Sequence, residues 1–153
     1  WTTARMKEAM AYCKEKGYRG FVANQALYNI ASSQMKPYPD ETMVTMDEEM
    51  LKFHQESNIL AMPYSSLCSG FFTKLAAGVD VTTSPYYTEE NIKLAEHLQV
   101  LTSKYKASLT QVIMGFFFVQ DMPMCALAGA SREDQLIDFM ETLNKQFNSK
   151  DFQ

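Results

Sequence analysis

The run Met62-Pro63-Tyr64-Ser65-Ser66-Leu67-Cys68-Ser69-Gly70 gathers an aromatic ring, serine hydroxyls and a glycine at the end of a short apolar stretch, Ile59 to Met62. That mix suits a strand running into a ligand-binding loop. The ring can stack on a planar heterocycle, while hydroxyls and free backbone N–H groups can hold phosphate oxygens. A serine-rich surface turn with one anchoring tyrosine is the plainer reading of the same residues. Two further apolar runs end in polar residues: Gly20-Phe21-Val22-Ala23 stops at Asn24-Gln25, and Met124-Cys125-Ala126-Leu127 leads to Gly129-Ala130-Ser131-Arg132. In parallel α/β folds, ligands bind at the carboxyl ends of strands. The third end is also a candidate anion site, because a helix N-terminus and Arg132 both favour phosphate.

The elements that must position these ends follow from periodicity. From Thr3 to Lys16, Met6, Ala9, Met10 and Cys13 recur at helical spacing, and Gly17 falls where a helix-terminating glycine belongs. Thr45-x-x-Glu48 has the form of a capping box ahead of Met50, Leu51 and Phe53. Thr88-Glu89-Glu90 opens a stripe through Ile92, Ala95, Leu98 and Leu101. Ser108-x-x-Gln111 precedes a helix so apolar (Val112, Ile113, Phe116, Phe117) that it must be largely buried. Ser131-x-x-Asp134 opens a last helix with a face of Leu136, Phe139, Met140, Leu143 and Phe147. The three apolar runs do not alternate, as expected of strands buried on both faces of a parallel sheet. The order helix, strand, helix, strand, helix, helix, strand, helix predicts an α/β chain of crossover units. Ser32 to Val44, with Pro37 and Pro39, reads as a loop too long for a simple connector.

At 153 residues the chain supports one domain with a real core. No apolar stretch approaches the ~20 residues of a membrane-spanning helix. Trp1-Thr2-Thr3-Ala4-Arg5 lacks the regions of a signal peptide, and with no initiator methionine the chain is expected to start mid-protein or to have been processed. Cys13, Cys68 and Cys125 are odd in number and scattered, which argues against a disulfide framework and a zinc site and predicts a cytoplasmic protein. A net charge of −4 without a basic cluster gives no support for nucleic-acid binding, and no membrane partner is expected.

Taken together, Ala23-Asn24-Gln25-x-x-Tyr28-Asn29, Tyr64-Ser65-Ser66-Leu67-Cys68-Ser69-Gly70-Phe71-Phe72-Thr73-Lys74 and Gly129-Ala130-Ser131-Arg132-x-x-Gln135-Leu136 resemble the aldo-keto reductases. Trp1 with Arg5 is similar to the tail of that family's Ser-Asn-Trp motif. The resemblance covers nearly the whole chain, in the family's order. It implies an α/β fold, the C-terminal portion of a (β/α)8 TIM barrel, with about three parallel strands and five helices. Residues 1–153 would form a single partial domain lacking the N-terminal half. It also implies reduction of an aldehyde or ketone with a nicotinamide cofactor, NADPH (NADP) rather than NAD, by the complete protein.

Carried over by resemblance, Gln25 corresponds to the residue that hydrogen-bonds the nicotinamide carboxamide, and Tyr64 to the aromatic on which the nicotinamide stacks. Ser65, Leu67 and Ser69 correspond to the pyrophosphate loop. Gly129, Ala130, Ser131 and Arg132, with Gln135 and Asp138, correspond to the segment that binds the adenosine 2′-phosphate and adenine. This chain departs from the family in three ways. The catalytic tetrad (Asp, Tyr, Lys, His) lies on earlier strands, so no catalytic residue is assigned here and the chain alone is expected to be inactive. Asp138-Phe139 stands where the family usually has Glu-Asn, and Gly129 where many members have lysine, leaving Arg132 as the main cation for a 2′-phosphate. The expected partners are the carbonyl substrate and either the missing N-terminal half or a second copy. The competing reading is a non-catalytic nucleotide- or protein-binding module derived from the barrel.

Single residues have plainer roles. His54 and His97 read as surface or boundary histidines. Tyr12, Tyr18, Tyr86, Tyr87 and Tyr105 read as packing residues, the methionines as core filler, and Cys68 as a buried thiol rather than a redox group. Glu48-Glu49 and Glu89-Glu90 read as carboxylates serving helix N-termini rather than as an acid–base pair.

Overall fold

A computed structural model describes residues 1–38, 40 and 42–152, so Pro39 of the expected loop lies outside the described residues. Among them, α1 (Thr3–Glu15) and β1 (Ala23–Asn24) lead to α2 (Glu48–Ser57) and β2 (Leu60–Ala61). The helices α3 (Phe71–Ala76), α4 (Glu89–Tyr105), α5 (Leu109–Phe118) and α6 (Glu133–Glu141) follow.

The helix boundaries reflect local chemistry. Thr2 Oγ1 accepts from Arg5 N at 3.5 Å to start α1. Gly17, at φ +71°, ends it with paired bonds from Tyr18 N to Cys13 O (2.8 Å) and from Gly17 N to Lys14 O (3.3 Å). Thr88 caps α4, and Ser108 with Gln111 forms the full capping box of α5, as the spacing predicts. The cap of α2 is Asp47 rather than Thr45, because Thr45 stays extended in a parallel bridge with Leu27. At α6 the N-cap position belongs to Arg132, which makes no side-chain cap; Ser131 donates both its N–H and its hydroxyl to Gln135 Oε1 instead. The short α3 follows Gly70 at φ +75° and has no hydrophobic repeat to announce it.

The sheet is parallel, Ala23 facing Leu60 and Asn24 facing Ala61. The third expected strand is reduced to a bridge between Ala61 and Met124, extended by Leu127 N to Pro63 O at 2.8 Å. The expectation that all three runs are buried on both faces fails. Phe21 and Val22 are 40% and 56% exposed, because β1 is an edge with no further strand beside it among the described residues, and Cys125 also faces outward.

One part of the core gathers Met6, Met50, Phe53 and Ile59 between α1, α2 and the sheet. A second packs Phe71, Phe72, Leu98 and Val112 from α3, α4 and α5 around Tyr86, which lies in the segment leading to α4. His54 is not a surface histidine: it is fully buried, its Nδ1 2.8 Å from Ile59 O and its Nε2 3.1 Å from Asn24 Nδ2. A carbonyl only accepts, so Nδ1 carries the hydrogen and Nε2 receives the Asn24 amide. Tyr86 is buried as expected, but Tyr12 and Tyr18 are exposed. The predicted face of α6 splits as well. Phe139 turns inward, while Leu136, Ile137 and Met140, with Leu143 just beyond, stand more than half exposed. Among the described residues no helix is long and apolar enough to cross a membrane.

Candidate functional site

The loop after β2 is held in an uncommon conformation. Ser65, Cys68, Ser69 and Gly70 all have positive φ, between 52° and 75°. For the three non-glycine residues this is costly backbone geometry, and such strain persists only where surroundings fix it. The fixing contacts are visible. Asn29 Nδ2 donates to Ser65 O at 3.0 Å, Lys74 Nζ to Ser69 O at 3.1 Å, and Cys68 N to Ser65 O at 2.8 Å. Ser66, almost fully buried, donates its hydroxyl to Leu127 O at 2.6 Å. Among the described residues the N–H groups of Ser65, Ser66 and Leu67 find no backbone acceptor. Leu67, with φ −99° and ψ 20°, precedes left-handed Cys68, the alternation that turns successive N–H groups into a concavity suited to anions.

This loop faces the start of α6 across a cavity of about 770 Å³. Of the residues singled out from sequence, Ser65, Leu67, Ser69, Gly129, Arg132, Gln135 and Asp138 line it together. Ala130 and Ser131 are exposed and do not. Gln25 lies apart, exposed at the end of β1 on a smaller cavity of about 230 Å³ shared with Trp1 and Phe21. Tyr64 is half-buried on the neighbouring strand end, its N–H donating to Ala26 O at 3.1 Å. Partial burial, reinforced by nearby Tyr38 and Asp40, pushes its hydroxyl above the ordinary tyrosine range.

Two assigned residues are engaged within the protein. Arg132 grips Asp134 in a two-pronged pair, Nε and Nη2 each 3.0 Å from one carboxylate oxygen. That pairing holds the Asp134 carboxyl below its usual range. Asp138 accepts from Ser108 Oγ at 2.8 Å and from Gln111 Nε2 at 2.9 Å, so its carboxylate ties α6 to the capping box of α5. Ser108, Thr110, Ile113, Thr73 and Phe139 also line the cavity, though the sequence reading gives none of them a place in a site. In the sequence Ser108 reads as a cap and Ile113 as core, while Thr73 and Phe139 fall within the family-like segments without a role of their own. Cys68 is fully buried, and burial pushes its thiol up to about 12, which fits a packing role. No cluster of metal-ligating side chains occurs among the described residues.

No curated protein gives a significant match. A crystal structure of a thermostable aldo-keto reductase, Tm1743, in complex with the inhibitor epalrestat superposes with a TM-score of 0.66 at 14% identity, a likeness of fold. It covers 99% of this chain but only 43% of that one, so the chain spans less than half the length of the protein it matches. The family profile described as Aldo/keto reductase family matches residues 1–153, the whole sequence. The chain belongs to the aldo/keto reductase family of oxidoreductases.

Proposed function

We propose that this segment is the cofactor-binding part of an NADPH-dependent aldo-keto reductase, and that its parallel runs are the last three strands of an eight-stranded barrel. The single observation that carries the reading is the cavity in which the strained serine loop faces the α6 N-terminus and Arg132. Dinucleotides need two such anion-accepting walls, one for the pyrophosphate and one for the ribose phosphate. In this reading Ser65, Leu67 and Ser69 hold the pyrophosphate, and Gly129, Arg132 and Gln135 receive the adenosine end. Tyr64 supports the nicotinamide ring, with Gln25 at its carboxamide. The cofactor supplies the hydride for an aldehyde or ketone; the protein orients it and excludes alternative geometries. The family's Asp–Tyr–Lys–His tetrad would sit on elements ahead of Trp1.

The exposed edge at Phe21 and Val22 and the apolar side of α6 support the barrel part of the proposal, since a closed barrel leaves neither open. The experiment is a titration of the intact protein with NADPH, followed by cofactor fluorescence. Tyr64→Ala removes a stacking surface worth about 1 kcal/mol beyond its area, so affinity should fall several-fold with the fold intact. Arg132→Ala should weaken NADPH more than NADH. Cofactor affinity unchanged in both variants, with normal circular dichroism, would overturn the assignment.

A further inference from the structure

We infer that Asp134 determines cofactor preference by occupying Arg132, an inference that rests on the cofactor reading above. Arg132 is the one lysine or arginine lining the cavity among the described residues. The Nε–Nη2 edge of its guanidinium is committed to Asp134, each nitrogen 3.0 Å from one carboxylate oxygen. A two-pronged pair uses the same coplanar donors that a phosphate would use, so carboxylate and phosphate compete for one face of the arginine. Asp138 adds a second carboxylate to the lining, which therefore carries one formal positive charge against two negative.

A ribose 2′-phosphate taking the Nε–Nη2 edge must displace the Asp134 carboxylate, and one taking the remaining Nη edge must lie beside it. A ribose 2′-hydroxyl meets no such opposition and can donate to the carboxylate, the contact by which acidic residues accept NAD elsewhere. The pair is exposed, with 63% and 69% of the two side chains accessible, so it is weak and can be displaced. The consequence is graded: Asp134 trims, without abolishing, the NADPH advantage that Arg132 confers.

The test measures dissociation constants for NADPH and for NADH on the intact protein as wild type, Asp134→Asn and Glu133→Gln. Glu133 lies in the same first turn but outside the cavity lining, so its variant changes net charge equally without freeing Arg132. Asp134→Asn should tighten NADPH about three- to tenfold while leaving NADH unchanged or weaker. Glu133→Gln should leave the ratio of the two constants near the wild-type value. An unaltered ratio in Asp134→Asn, or an equal gain in Glu133→Gln, overturns the inference while the cofactor reading stands. Wild-type protein that binds neither dinucleotide overturns both.

Discussion

Asp138 Oδ2 accepts a hydrogen bond from Ser108 Oγ at 2.8 Å, so the residue that caps α5 is itself held by α6. The same carboxylate takes Gln111 Nε2 on its other oxygen, and Gln111 reaches Glu141 Oε2 at 3.2 Å. Four side chains thus satisfy a helix start and dock a second helix at once.

Truncating that carboxylate should be felt mainly as lost stability. Asp138→Ala removes two hydrogen bonds to a charged, half-buried acceptor, and bonds of this kind contribute about 1.5–3 kcal/mol each at most. A loss of about 2 kcal/mol in urea unfolding of the intact protein is expected. A cofactor affinity that falls tenfold without any stability loss would show that Asp138 serves the ligand instead.

Phe147 lies flat against α5 where Gly115 leaves room. A Cβ at position 115 would meet three ring atoms at 2.8 Å, too close for any carbon contact. The ring is also packed on Tyr105, centroids 4.9 Å apart, so it cannot step aside freely. Gly115→Ala should therefore cost about 1–3 kcal/mol despite alanine's better helix propensity. In a Phe147→Ala background the same change should instead stabilise by about 1 kcal/mol. The same sign in both backgrounds would exclude the ring as the cause.

Alkaline pH should expose the buried thiol. Burial raises Cys68 from 9.0 to about 12, so the folded state keeps a proton that the unfolded chain releases. Stability from this group is complete below about pH 9 and is lost as pH rises towards 12, at about 1.4 kcal/mol per unit. Tyr28, raised by burial from 10.0 to about 12, joins only above pH 10. Cys68→Ala should flatten the slope between pH 9 and 10; an unchanged slope there assigns it to other groups.

The outward side of α6 should drive association. Leu136, Ile137, Met140 and Leu143 are each more than half exposed, and together with Glu133, Glu141 and Asn144 they line one groove. Adjacent apolar side chains in water favour a covering partner. Sedimentation of the 153-residue segment at micromolar concentration should reveal self-association, lost in the Leu136→Glu, Met140→Glu double variant. A monomer before and after substitution would remove this face as the cause.

What could be read from the chain alone was whatever is decided locally. The caps Thr88 and Ser108, the glycine after α1 and the polar ends of the apolar runs depend on neighbours within a few residues, and they are found where expected. Thr45 was misjudged because its bridge to Leu27, eighteen positions earlier, overrides a good capping pattern. His54 was misjudged because its partners, Asn24 and Ile59, sit on two different strand ends. A histidine on a polar-looking helix gives no sign of them.

The same distinction runs through the candidate site. Ser65, Leu67 and Ser69 were legible because one loop carries them, and Gly129 and Arg132 because a helix start follows. The clamp of Arg132 by Asp134 lies only two positions away, yet it depends on rotamers that spacing does not encode. Ser108 and Ile113 enter the cavity wall only because α5 packs beside that helix start.

The bond from the buried Ser66 hydroxyl to Leu127 O links the two walls of the cavity. The serine loop and the chain leading to Arg132 cannot swing apart as independent flaps without breaking it. Their backbone amides should therefore exchange with solvent deuterium as one cooperative unit, and a ligand gripping either wall should slow exchange on both.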